Sequence, residues 1–582
     1  MITTYTYNHL GNVLSYTNQL GKTQRFVYDM ANQKVSETDF NGNTTTYSYD
    51  KAGRNIKIIN PFDDTQTSTQ KLYYDANGNV IEEKNQISAT SYNRTVYNYN
   101  SMNRLACVAS YETELNANLT QYFYDGNGNV THMIIPSTSV PLASSESITA
   151  NDKYISYTYD SLGRCIATGG NLSVPKSYEY DFAGHMTKET KPMGSVAYTY
   201  DSFDRVTSVS DATSTTPKHT YTFNTLGQRT SMTDETGTTT YAYDGFGNLT
   251  TETKGGIIKT STYDVMGRRT GFNVTNNGTN ILSNSYAYDD AGRMTAVSSN
   301  GKTMSYTYDD NGNVLTETGA DTVTTYAYNN ADLVTEKVDS HDNNIVDRYY
   351  NIHYDLMGNQ TTIDDNITNA FLRCIYTQDG KLDTEYKSSA DGISSEVGYR
   401  YDSMGNIISR NVYLSGKGET YYYSYHYGNY NQLDYANVHY TETEYLGAMP
   451  DVEYDYTIDY TYDTNGNIAS KTEYTPENTV NKAYTYTFDI FGRMTQSTND
   501  DIATTYTYDG DNLRASKITN GVTKNHILDG MNVVADIKGT TTNSYSRGHY
   551  IYASNRGTRL FAYFTNVHGD NQTDNHFCFF IF

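Results

Sequence analysis

Tryptophan is absent from this 582-residue chain, cysteine occurs four times and proline eight times. No apolar run approaches the roughly 20 residues needed to cross a bilayer as a helix. Each shortage excludes something. Cys107, Cys165, Cys374 and Cys578 lie far apart with no C-x-x-C pair, which rules out zinc knuckles of the usual spacing and leaves a disulfide between two of them open. Basic residues are also scarce: 42 Lys and Arg stand against 66 Asp and Glu, a net charge of -24, and a nucleic-acid groove needs the opposite balance. The acidity reads as a solvated surface that discourages edge-to-edge association of a β protein. No G-x-S-x-G, H-E-x-x-H or P-loop is present, and the 12 His are scattered rather than paired at ligand spacing. No catalytic residue, cofactor or metal ligand is therefore expected.

What the chain does have is tyrosine, 61 residues of it, together with 43 Gly and 18 Phe. They fall in a pattern that returns about every 20 to 26 residues, in roughly twenty-two copies of varying strength. The clearest are Tyr47-Ser48-Tyr49-Asp50-Lys51-Ala52-Gly53-Arg54, Tyr157-Thr158-Tyr159-Asp160-Ser161-Leu162-Gly163-Arg164, Tyr241-Ala242-Tyr243-Asp244-Gly245-Phe246-Gly247-Asn248 and Tyr306-Thr307-Tyr308-Asp309-Asp310-Asn311-Gly312-Asn313. In the stretch 237–263, residues 238–243 are β-branched and aromatic, with Tyr241 and Tyr243 two apart on one strand face. Asp244 can bond the backbone two residues on, and Gly247 can take a positive φ without a Cβ penalty, so a turn follows. Leu249 to Lys254 alternates again, and Gly255-Gly256 reverses the chain before the next copy.

Each repeat thus predicts one hairpin. A lone hairpin is marginal in water, so the units become stable only by pairing with their neighbours. The expected fold is all-β: tandem antiparallel hairpins, about forty or more strands, in a long sheet that coils or closes. With a mean hydropathy of -0.68, aliphatic residues are too few for a thick core, and rows of tyrosine must do much of the packing.

The order Y-x-Y-D-x-x-G-R/N at this spacing resembles the RHS or YD-repeat family, which includes bacterial rearrangement-hotspot proteins, the C components of insecticidal toxin complexes and the shells of animal teneurins. The resemblance runs over roughly residues 1 to 570. It implies a strip of hairpins wound as a spiral into a hollow YD shell, non-enzymatic itself, secreted or at the cell surface. In bacterial members such a shell encloses a C-terminal toxin polypeptide, the partner the resemblance supplies. The motif residues Tyr49, Asp50, Gly53, Arg54, Tyr159, Asp160, Gly163, Arg164, Tyr243, Asp244, Gly247, Asn248, Tyr308, Asp309, Gly312 and Asn313 are then structural.

By the same resemblance, residues 1–510 read as the repeat array, 511–570 as the opening of the repeat-associated core, and 571–582 as a divergent hydrophobic tail. The lead-in Asp529-Gly530-Met531-Asn532-Val533-Val534-Ala535, then Arg547-Gly548-His549-Tyr550-Ile551 and the strand ending His568-Gly569-Asp570 carry the likeness to the core. His568 and Asp570 are expected to be a strand end rather than a catalytic pair. The family's acidic D-P-x-G self-cleavage junction and the toxin are not found in this sequence, and no signal peptide is visible. Because the resemblance implies a shell sealed by the associated core, and the likeness to that core stops near Asp570, the expected shell is an open one. Residues 132–153, with Pro136 and Pro141, are expected to be a projecting loop, and 425–459 a degenerate hairpin pair.

Two further features of the repeats bear on ligand binding. Asp75-Ala76-Asn77-Gly78-Asn79, Asp309 to Asn313 and Asp463-Thr464-Asn465-Gly466-Asn467 resemble the front of a calcium loop, but none has the bidentate Glu at its twelfth position, and turns without an ion are expected. Aromatic, Gly-rich repeats also build carbohydrate- or cell-wall-binding proteins, the alternative function class. Those usually present Trp in their cages, because its π face is the largest.

Overall fold

The computed structural model describes residues 2–137, 140–214, 216–320, 322–341, 345–388, 394–415, 417–442, 452–500, 502–547, 551–556, 559–562, 564–565 and 571–572. The expectations placed on His549, on His568 to Asp570, on Cys578 and on the tail beyond residue 572 lie outside them, as does part of the 425–459 stretch.

The chain is all-β. Among the described residues forty-nine strands form one antiparallel sheet in which each strand pairs with the next in sequence, and a two-stranded sheet joins Phe564–Thr565 to Asn571–Gln572. Among the described residues only two single 3-10 turns, Ser145–Ser147 and Asn429–Asn431, interrupt it. The strands alternate as the sequence requires. In Ile257–Tyr263 every second residue is exposed, and Tyr263 lies on the better-covered face.

Successive strands run up and down, so the strip has two unlike edges. Motif turns such as Asp244 to Asn248 line one edge, and linking turns such as Gly255-Gly256 line the other. Beside the second tyrosine of a motif the register slips, as between Ala242 and Tyr243 or Thr307 and Tyr308. Such a bulge increases the local right-handed twist. Repeated on one edge throughout the strip, it makes the sheet coil.

The coil returns on itself. Asn311 and Asn41 exchange backbone-to-side-chain bonds of 3.3 and 3.2 Å, the Leu356 N–H donates to the Ile87 carbonyl at 3.1 Å, and the Met193 N–H donates to Asn465 Oδ1 at 2.9 Å. The Asn41 turn follows the fourth strand and the Asn311 turn the twenty-seventh. Ile87 follows the eighth and Leu356 the thirty-first, and Met193 follows the sixteenth and Asn465 the thirty-ninth. Each pair is twenty-three strands apart, so one wrap takes twenty-three strands and the motif edge of the second wrap rests on the linking edge of the first.

Beyond Asp509 the strip also meets a face. Val522–Asp529 and Asn532–Lys538 lie on the tyrosine-bearing side of Arg269–Asn276 and Thr279–Tyr288, and Phe272, Val274, Leu282, Ile527, Val534 and Ala535 are buried between the two layers. Arg269 donates two bonds to the Asp529 carboxylate, at 2.9 and 2.7 Å, across the same junction.

The insertion near 132–153 differs in detail from a projecting loop. Residues up to Ile135 belong to the strand Val130–Ile135, and the loop that follows folds back: buried Gln121 accepts from the Leu142 N–H at 2.7 Å and donates to its carbonyl at 2.6 Å. Within 425–459, Leu433–Glu442 pairs with Glu419–Tyr427 on one side and Val452–Tyr462 on the other.

Candidate functional site

The feature that recurs throughout the described residues is the motif turn, and its chemistry can be read residue by residue. Asp50 Oδ1 accepts the N–H groups of Ala52 and Arg54 at 2.8 and 3.0 Å, while Oδ2 takes the Arg54 Nε–H at 2.7 Å. Asp160 does the same with Leu162 and Arg164. In the asparagine copies the amide replaces the guanidinium: Asn248 Nδ2 donates to Asp244 at 2.9 Å and Asn313 Nδ2 to Asp309 at 2.8 Å. Gly53, Gly163, Gly247 and Gly312 close these turns at positive φ, between 78° and 101°.

Arginine and asparagine are therefore not equivalent. Arg54 reaches forward, donating to the Asp75 carbonyl at 2.8 Å and lying 4.7 Å from the Tyr74 ring centroid; Arg164 reaches the Asp181 carbonyl at 2.9 Å, 4.8 Å from Tyr180. Each arginine copy thus ties its turn to the next by a hydrogen bond and a cation–π contact. Asn248 closes its own turn, and where an asparagine does reach forward, as Asn313 Nδ2 does to Asp332 Oδ1 at 2.7 Å, it makes a hydrogen bond without the cation–π contact.

Tyrosine makes the link backward. Tyr49 donates its hydroxyl to the Lys34 carbonyl at 2.7 Å, Tyr159 to Val130 at 2.9 Å, Tyr243 to Arg229 at 2.9 Å and Tyr308 to Met294 at 2.5 Å. In each case the acceptor is the residue that follows the preceding motif turn, where the bulge frees a carbonyl from the ladder. The motif is a two-way staple.

The carboxylates feel these bonds. Hydrogen bonds from the Arg54 backbone and guanidinium hold the Asp50 carboxyl below its ordinary range, the Arg164 backbone leads the same shift at Asp160, and the Asn248 amide leads it at Asp244. At Asp309 burial pushes upward, but donors from Asn41, Asn313 and Gly312 outweigh it. A folded carboxyl depressed below its unfolded pKa of about 4 contributes stability above that value and loses it as pH falls through the folded value. Thermal unfolding followed by circular dichroism should therefore give a midpoint that drops as pH falls below about 4.

Gly247 offers a direct check on the turn. At φ 93° a side chain is strained, and its Cβ would lie 3.2 Å from Gln228 Nε2, a flexible group. Gly247→Val is expected to lower local stability by about 1–2 kcal/mol. Hydrogen exchange in Gly237–Tyr243 and Leu249–Lys254 should rise accordingly.

Sequence reasoning did not find one cluster. Lys337 and Asp339 are buried side by side, Nζ to Oδ2 3.5 Å, with the Thr324 hydroxyl donating to Asp339 at 2.8 Å. Burial pushes the nearby Glu317 carboxyl up to about 7. The charges sit at strand positions that read as ordinary polar alternation in Glu317, Lys337 and Asp339, and nothing local marks them as covered. Among the described residues Cys107, Cys165 and Cys374 are free thiols, and no group of three or more His, Cys, Asp or Glu side chains is placed to hold a metal. The motif carboxylates are occupied by donors of their own turns, and Asp309 by Asn41 across the seam as well.

A wound strip of Y-x-Y-D hairpins, stapled in both directions, is the construction of a YD shell wall. The family model described as teneurin YD-shell matches residues 41–216 and 257–344, and that of the RHS repeat matches 7–44 and 223–257. The chain belongs to the RHS/YD-repeat family. Solved structures similar to it include the TcdB2-TccC3 crystal structure, at 14% identity and a TM-score of 0.49 over 98% of this chain. A second is the Photorhabdus luminescens Tc holotoxin pore with a mutated TccC3, at 13% identity and a TM-score of 0.40, also over 98% of this chain. The chain spans 40% and 42% of the length of those two chains. No curated protein matches it.

Proposed function

We propose that this chain is the wall of an enclosing shell, a structural body without catalytic chemistry of its own, in a secreted or surface-displayed protein that holds a toxic polypeptide inside. The observation that carries the reading is the self-stacking spiral. Twenty-three strands at about 4.8 Å apart give a girth of roughly 110 Å, a ring roughly 35 Å across, and the second wrap extends its wall. The hairpins that leave the seam near Gly510 and cover a tyrosine face begin where the resemblance places the repeat-associated core, and we read 511–570 as that core's opening. Among the described residues no helix is long and apolar enough to cross a membrane, which says nothing of spanning by strands.

Electron microscopy of the purified chain is expected to show a hollow, open-ended body of about that girth. A flat ribbon or a filled particle would overturn the shell reading. Co-sedimentation with insoluble cell-wall glycan tests the alternative: the shell reading expects the protein to stay in solution, and saturable retention would favour a wall binder.

A further inference from the structure

The two wraps carry the same motif turns in unlike surroundings. The residue two after the motif Asp or Asn is Leu162, Phe203, Leu226 or Phe246 in the first wrap, at 74%, 75%, 81% and 91% exposure. In the second wrap the same position holds Met357 at 39% exposure and Phe491, which is half-buried. The difference has a visible cause: the second wrap's motif edge rests on the linking edge of the first, and the first wrap's motif edge rests on nothing described. A row of large apolar side chains along one rim is an unusual thing to leave in water.

The complementary rim is open too. The linking edge of the second wrap is exposed at 366–369 and 476–482, and it includes Ile367 at 48% and Val480 at 60% exposure. Linking edge on motif edge is the contact already made inside the chain, at Asn41 with Asn311, Ile87 with Leu356 and Met193 with Asn465, so the two open rims are the same pair of surfaces.

We propose that the first wrap's motif rim docks the linking rim of a second copy of this chain, so that copies stack head to tail and continue the spiral wall. The contact is heterologous, with two different surfaces meeting, and such contacts grow open rows rather than closed dimers. The inference rests on the seam geometry and stands whether or not the wall encloses a toxin.

The test uses the full chain in sedimentation-velocity analysis at rising concentration. Wild type should form a ladder of dimers and larger rows. One variant carries Phe203→Ser, Leu226→Ser and Phe246→Ser, and a second carries Ile367→Asp and Val480→Asp; each should be at least tenfold weaker in self-association. An equimolar mixture of the two should recover dimers and nothing larger, since each partner brings one intact rim. A monomeric wild type, ladders unchanged in either variant, or a mixture that stays monomeric would each overturn the proposal. Loss of association on deleting residues 571–582 with both rims intact would overturn it as well, by moving the contact to the tail.

Discussion

Leu282→Ala should release the last hairpins from the face they cover. Leu282 is fully buried between layers, in contact with a cluster that joins Phe272 and Val274 of the strand Arg269–Asn276 to Ile527, Val534 and Ala535 near the end of the strip. Truncating a buried leucine costs about 3 kcal/mol, from lost transfer energy and from the cavity left behind. Elsewhere the sheet is mostly a single layer, so little else can take up that loss. The Arg269 to Asp529 pair remains, but its side chains are partly exposed, and such a pair holds a docked layer only weakly once the apolar contact is gone. Hydrogen exchange of Val522–Asp529 and Asn532–Lys538 should accelerate about a hundredfold while strands far from the junction keep their protection. Unchanged protection in those two strands would mean the layers are held by something other than this core.

The second large effect is expected at Gly170. Its φ is 108°, and a Cβ there would stand 2.3 Å from the Tyr154 carbonyl oxygen and 3.1 Å from the Ile155 Cα. Both are backbone atoms of the paired strand Lys153–Tyr159, so relief requires the pairing itself to move. Gly170→Ala should therefore cost about 3 kcal/mol or more. The damage should also spread. Neighbouring Asn171 accepts from the Tyr154 N–H at 2.8 Å, donates to the Asp152 carbonyl at 2.8 Å, and offers its own carbonyl to the Tyr430 N–H of the next wrap at 2.6 Å. Limited proteolysis should show new cleavage near 165–175 and near 428–432. Gly237→Ala is the control: it has a positive φ of 122° but open space around the new methyl group, and it should show strain without the clash. Equal behaviour of the two variants would contradict the close approach at Gly170.

How far the fold was legible follows from the range of each interaction. The turn of Asp244, Gly247 and Asn248 is closed within five residues, so its residue types state its geometry, and strands of alternating Thr and Tyr on either side complete a hairpin. The tyrosine hydroxyl of Tyr243 was legible only as a group needing a partner. Its acceptor, the Arg229 carbonyl, is a backbone atom fourteen residues away with no sequence signature. The seam was illegible for a stronger reason. Asn41 and Asn311 are 270 residues apart and look like every other turn asparagine; only the number of strands per wrap selects which two meet. The exposed Phe246 and half-buried Phe491 occupy the same motif position, and sequence cannot tell them apart because their difference comes from what lies beneath each edge. Phe272 and Val274 likewise resemble other strand residues until the end of the strip lies over them.

That each wrap takes twenty-three strands carries a rule of parity. Motif turns follow odd-numbered strands and linking turns follow even-numbered ones, so only an odd offset sets a motif turn on a linking turn. Adding or removing one strand anywhere in the strip would reverse the direction of everything after it, and the two edges would exchange places along the whole seam. Whole hairpins, by contrast, leave the polarity intact and merely widen or narrow the coil. The wall can therefore change its length only in steps of two strands, and extra residues that do not amount to a hairpin must leave the sheet as a loop, as residues 140–152 do.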